Sequence, residues 1–243
     1  MKHTLFAILA AAVLATNALA VDGVTLINQS TVMAAGGFPY AIFQPGSYKL
    51  SGNLVVPANL DGIEIFADNV TVDLNGFTIL GPVTCSGQGS ALRCVGSGSR
   101  DTVGIYAVRG SNFGSDNIAV LNGAVAGFSY GVLMSDGGVN CVVEEIRANG
   151  NSTTGIDVGS ALVRRNAASS NGSYGIICVN SCVVLDNIAD YNGLYGLYSG
   201  FFSGYSGAAG VFGSNAFDFN GTGPTLVFNA VSQGNNSCNG HAC

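Results

Sequence analysis

Glu145, Arg165 and Asp186 take one position in three successive copies of a repeated frame, with Glu144 and Arg164 beside the first two. Side chains of alternating sign at one repeat position suit two kinds of chemistry. They pair across a surface, each bridge worth roughly 0–1 kcal/mol, or they converge in a groove where acids and bases exchange protons with a substrate. A second column is aromatic. Tyr130, Thr154, Tyr174 and Tyr195 each precede a glycine, Tyr198 stands close by, and Phe201 and Tyr205 follow in "FFSGYSG". Stacked rings support a regular chain by packing on one another. When exposed, the same rings are a platform for the apolar face of a pyranose, whose hydroxyls reach Asn, Asp and Arg nearby.

Seven cysteines add redox chemistry. Cys85 and Cys94, Cys178 and Cys182, and Cys238 and Cys243 are close in sequence, and Cys141 is left over. In an exported chain such spacing reads as three disulfides, with Cys141 reduced and shielded. Export is expected from Lys2, the apolar run from Leu5 to Leu14, and the small-residue pattern Ala18-Leu19-Ala20, which together read as a signal peptide over 1–20. The destination is then periplasmic, cell-surface or extracellular. His241 is the only histidine after that segment, so no metal site is expected. A formal net charge of −6 disfavours nucleic acid as a partner. No later stretch is apolar for long enough to cross a bilayer, so the mature chain is expected to carry no transmembrane segment.

The elements that must position these residues come from the repeat. "NCVVEEIRANGNSTTGIDV" (140–158), "SALVRRNAASSNGSYGIIC" (160–178) and "SCVVLDNIADYNGLYGLYS" (181–199) align without a gap. A looser copy precedes them at 117–134, another follows at 209–223, and "NVTVDLNGFTILGP" (69–82) reads as a first turn, in which Asp73 and Asn75 are structural. A period of roughly 20–23 residues means stacked supersecondary units. Short Val, Ile and Leu strands broken by Asn and Gly make those units coils of an all-β solenoid, a parallel β-helix. The expected organisation is a cap with first strands over 21–68, coils over 69–235 with a disulfide loop near 83–100, and a cysteine-paired tail over 236–243. Alternation along the strands turns Val143, Val163, Val184, Ile156, Ile176 and Leu197 inward, with Cys141 and Cys182. Asn187 and the column Asn151, Asn171, Asn192 are expected at turns, bonding neighbouring coils through stacked amides. Gly155, Gly175 and Gly196 are expected at corners, where a side chain would obstruct the backbone.

The frame V-x-x-N-x-A-x-x-N-x-x-Y-G-I/L, clearest over 184–197, resembles the right-handed parallel β-helix repeat of the pectin-lyase-like superfamily. "GSYKLSGNLVVPANLDGIEIFADNVTVDLNGFTILGP" (46–82) resembles a group of exported bacterial β-helix proteins of unassigned activity. The resemblance covers roughly residues 40–235 and implies a right-handed β-helix. It leaves function open, because the superfamily holds lyases, hydrolases, epimerases and non-enzymes. Its hydrolases carry an "NTD…DD…GHG" signature that is absent here. Its lyases remove a proton beside a uronate carboxylate with Lys or Arg, which would assign Arg164 or Arg165 as base and Glu144, Glu145 and Asp186 as Ca²⁺ ligands. No cofactor is expected outside that lyase reading. The favoured expectation is an exported, monomeric, non-catalytic protein that contacts polysaccharide or cell-surface glycan through Tyr130, Tyr174, Tyr195 and Tyr198. A polysaccharide lyase or hydrolase is the alternative, and a structural or adhesive surface module the second.

Overall fold

The computed structural model describes residues 23–96, 98–108, 116–135, 138–200, 210–227 and 230–243. The segment read as a signal peptide, and Phe201 and Tyr205, lie outside the described residues. The chain is a parallel β-solenoid of about 8 turns. Most of its strands belong to two long parallel sheets. One holds eleven strands; the other holds eight, in strict chain order from Tyr40–Ile42 to Gly223–Val227. Successive coils hydrogen-bond strand to strand, so each coil places like side chains over those of the coil before it.

The interior is built from two such rows. On the eleven-stranded sheet, Val72, Val120, Val143, Val163, Val184 and Phe212 stand in register. On the eight-stranded sheet the row is Ile63, Ile105, Val132, Ile156, Ile176 and Leu197. All twelve are buried. β-Branched residues suit these positions because the pleated backbone already fixes the χ1 they prefer.

The corners carry the second regularity. Arg165, Asp186, Ser214 and Asn235 have left-handed backbone (φ 54, 56, 55 and 57°), and each is followed by an inward asparagine: Asn166, Asn187, Asn215 and Asn236. At a second corner Gly150, Ser170, Tyr191 and Phe219 are also left-handed (φ 67, 56, 59 and 55°), and Asn151, Asn171, Asn192 and Asn220 follow. The left-handed residue bends the chain; the asparagine fills the bend.

Each amide in these columns bonds to the next coil. Asn171 Oδ1 accepts from both the backbone N–H and the Nδ2 of Asn151, at 3.1 and 3.0 Å. Asn171 in turn donates through both groups to Asn192 Oδ1, and its remaining Nδ2 hydrogen meets Ala148 O at 2.9 Å. The other column repeats the pattern through Asn166, Asn187, Asn215 and Asn236. Buried polar groups are tolerable only when satisfied, and here every asparagine hydrogen bond is supplied by an adjacent coil or turn.

The glycines differ from expectation. Gly155, Gly175 and Gly196 lie within strands, and none has left-handed backbone. They are glycines because a Cβ would stand 2.7, 2.7 and 2.8 Å from Nδ2 of Asn171, Asn192 and Asn220, and as close to the backbone carbonyls of Gly175, Gly196 and Ala189, at 2.8, 2.7 and 2.6 Å. Crowding by the amide ladder and the neighbouring backbone, rather than corner conformation, excludes a side chain there.

The ends and one side are finished by non-repeating pieces. A short helix, Gln29–Ala34, begins at an Asn28–Thr31 capping box. Disulfides join Cys85 to Cys94, Cys178 to Cys182 and Cys238 to Cys243, while Cys141 is buried with its Sγ 3.7 Å from Val139 O. The hairpin of Thr84–Ser86 and Arg93–Val95, closed by the first of these bonds, lies lengthwise along the second corner. Gly89 N donates to Tyr191 O at 3.1 Å, several coils further along the axis. Among the described residues no helix is long and apolar enough to cross a membrane.

Two substitutions test the stack. Asn171→Ala orphans the N–H and Nδ2 of Asn151 and the carbonyl of Ala148, at roughly 1–3 kcal/mol each, so a loss above about 3 kcal/mol is expected from urea unfolding. Val163→Asp buries an unpaired charge and should abolish the cooperative transition altogether. A wild-type midpoint in either variant would show that the residue does not face the interior.

Candidate functional site

The outer face of the eight-stranded sheet bears a groove lined by Asp61, Glu64, Arg100, Asp101, Tyr130 and Asp157, with Tyr106 and Leu133 on its floor. Its volume is about 580 Å³. Strand register builds the floor. Glu64 pairs with Tyr106, Tyr106 with Leu133 and Leu133 with Asp157, so four side chains from four coils form one outward column. Residues outside the coils build the wall. After the disulfide-closed hairpin, the chain returns to the sheet through Arg100 and Asp101, held by Ser99 N donating to Asn59 Oδ1 at 2.8 Å.

Asp61 is the centre of the polar contacts. Its Oδ1 accepts from Val103 N at 2.8 Å, and its Oδ2 accepts from the Arg100 guanidinium. Glu64 lies against it. Burial, then the hydrogen bond to Asp61 and that group's charge, push the Glu64 carboxyl above the ordinary glutamate range, against a smaller opposing pull from Arg100. Tyr130 is pushed up by burial and then by the charges of Asp101 and Asp157, which keeps its phenol protonated at neutral pH. The groove therefore holds a carboxyl inclined to keep its proton, a paired carboxylate, and a neutral phenol.

The aromatic column continues from this groove along the sheet. Tyr130, Thr154, Tyr174 and Tyr195 are in register. The rings of Tyr174 and Tyr195 stack with centroids 6.3 Å apart, and Tyr198 meets Tyr174 edge-on at 5.5 Å. All four tyrosines are half-buried, so each ring both packs on its neighbours and meets solvent. Thr154 stands between Tyr130 and Tyr174. Its Oγ1 is buried and has no hydrogen-bond partner among the described residues.

The charged column lies elsewhere, at a corner bordering the eleven-stranded sheet. Glu145, Arg165 and Asp186 are exposed and share left-handed backbone, so they belong to the bend rather than to a strand face. Arg165 bonds Glu145 through Nε at 3.1 Å and Glu144 through Nη2, and Arg164 meets Glu144 at 2.9 Å. Both guanidinium groups are thus engaged by carboxylates. Asp186 takes no ion pair among the described residues. Neither Arg is presented to the groove, and among the described residues no group of three metal-ligating side chains comes together.

No protein-family model matches the chain, and no curated protein sequence matches it. Among solved structures it is similar to the periplasmic alginate epimerase AlgG, with a TM-score of 0.50 and 14% identity over 88% of this chain and 54% of that one. The fold is that of the right-handed parallel β-helix. The Dettilon tailspike protein is a further likeness, with a TM-score of 0.47 and 14% identity over 84% of this chain and 41% of that one. The β-helix described here spans about half the length of the structures it matches. At such identity the likeness concerns the path of the backbone and no individual side chain.

Of the residues singled out in the sequence, the β-helix brings Tyr130 into the groove and sets Tyr174, Tyr195 and Tyr198 beside it. Glu144, Glu145, Arg164, Arg165 and Asp186 stay apart. Asp61, Glu64, Arg100, Asp101 and Asp157 were missed. Asp157 was visible in principle, since in the aligned copies it takes the place of Ile177 and Tyr198. The other four fall outside the aligned copies and meet only through sheet register and the hairpin's return.

The corner cluster is a surface ladder in energetic terms. Arg165→Ala should cost about 1 kcal/mol or less, read as a small shift in melting temperature that fades at high salt. A loss several times larger would mean that the bend itself depends on Arg165.

Proposed function

We propose that this chain is an exported β-helix protein that binds glycan, without turning it over, along the outer face of its eight-stranded sheet. The observation that carries the reading is the half-exposed column of Tyr130, Tyr174 and Tyr195, in register through the buried Thr154 and with Tyr198 beside it, running out of a polar groove. Aromatic faces spaced by successive coils suit an extended chain of sugar rings, and the flanking carboxyls and Arg100 suit hydroxyls. A periplasmic alginate epimerase shares the fold, so polysaccharide is a ligand class that this architecture accommodates. Disulfide pairing and the leader-like N-terminus support export.

Turnover is the second reading, and Glu64 is what favours it. A carboxyl that holds its proton beside an ion-paired partner is suited to general acid–base work. The corner arginines give this reading no support, since both guanidinium groups are held by Glu144 and Glu145 and neither lines the groove.

A glycan array followed by calorimetric titration tests the binding reading. Replacing Tyr174 and Tyr195 together by Ala should cost about 2 kcal/mol of binding, roughly thirtyfold in affinity, with a smaller change in melting temperature. Loss of stability with unchanged affinity would assign the rings to packing alone. Release of reducing ends or unsaturated uronate that disappears in Glu64→Gln would replace the binding reading by the catalytic one.

A further inference from the structure

Resting on the glycan reading, we infer that the groove beside Tyr130 selects a saccharide bearing protonated amines and turns away uronates. The charge of the lining gives the first reason. Asp61, Glu64, Asp101 and Asp157 line it, and Arg100 is the only basic side chain among the lining residues. Arg100 is already bound to Asp61 Oδ2. A uronate carboxylate entering the groove would therefore meet acidic groups with no uncommitted cation among the described lining residues to receive it, and repulsion in a partly desolvated cleft is felt more strongly than in water.

An ammonium group meets the opposite situation. Asp101 and Asp157 line the same groove as Tyr130, the first from a loop and the second from the strand Thr154–Val158. Tyr106 and Tyr130 add aromatic faces to the lining, and a cation near such a face is attracted by its quadrupole. Burial, then the hydrogen bond to Asp61, push the Glu64 carboxyl upward, which favours its protonated form relative to a free glutamate.

The site is also more than a patch of acids. Thr154 is fully buried in the column that leaves the groove, between Tyr130 and Tyr174, and its Oγ1 is without a partner among the described residues. A buried hydroxyl left unpaired is unfavourable, and a sugar hydroxyl would satisfy it where the covering rings part to admit the ligand. The same column thus holds a hydrogen-bonding position next to the stacking surface, on the strand that also carries Asp157.

Three hexasaccharides with β-1,4 linkages separate the possibilities: glucosamine, N-acetylglucosamine and mannuronate oligomers, titrated at pH 6 into the mature chain. The glucosamine oligomer should bind at least tenfold more tightly than its N-acetylated counterpart, and the mannuronate oligomer should show no measurable binding. Asp101→Asn, at an exposed position, should reduce the tenfold preference to about threefold, as should Asp157→Asn; melting curves check that both variants fold. Equal affinity for the amine and acetylated oligomers, or tighter binding of the uronate, would overturn the inference while leaving the glycan reading intact. A preference for the amine that persists in both Asp variants would also overturn it, by showing attraction to the acidic chain as a whole. Failure to bind any member of a broad glycan array would remove the glycan reading itself, and this inference with it.

Discussion

Everything in this molecule depends on how a coil disposes of its buried amides. Along the two ladders a left-handed residue is followed by an asparagine that is buried or, at Asn220, half-buried, and its own coil does not supply all its bonds. The neighbouring coil does. Because Oδ1 accepts twice from one side and Nδ2 donates to the other, each asparagine is complete only between two others. The ladder therefore needs a terminator, and at one end Asn236 donates its Nδ2 to Ser232 Oγ at 3.0 Å. Apolar rows of Val and Ile supply most of the burial. They would tolerate a slipped register far better than the amides would, so the ladders are what fix which coil sits on which.

That constraint explains why so much of the fold was legible in the sequence, and why one part was misread. The valine, isoleucine and asparagine columns recur because each copy solves the same packing problem. The recurring glycines have the same origin, yet their cause is steric rather than conformational: an asparagine Nδ2 and backbone carbonyl oxygens together occupy the space of their Cβ. Sequence alone could not separate these causes, because both leave a glycine at a fixed distance from an asparagine. Conversely, Glu145, Arg165 and Asp186 look like strand residues when only charge is read, whereas their place directly before Ile146, Asn166 and Asn187 marks them as the bend.

The groove was not legible for the opposite reason. A repeat announces what every coil shares, and a binding site on a solenoid is where one coil departs from the rest. Asp157 replaces an apolar residue in a column otherwise filled by Leu133, Ile177 and Tyr198. Asp61 and Glu64 come from the first coils, where the repeat is too worn to align. Arg100 and Asp101 arrive on an excursion that belongs to no copy. The scaffold thus provides a straight sheet with fixed spacing, and its irregularities provide the chemistry.

The disulfide-closed hairpin imposes an order on assembly. It leaves the stack after an early coil but rests on Tyr191 and against Phe219 and Gly221, near the other end. Its seat does not exist until those later coils have been laid down. Once the chain folds, the early coils can zip onto one another, each needing only its predecessor. The hairpin must wait, already looped but undocked, and it settles only when the last corners form. Arg100 and Asp101 follow directly after it, so the wall of the groove is among the last parts to find its place, and a chain truncated in its final coils would lose a surface that lies near its beginning.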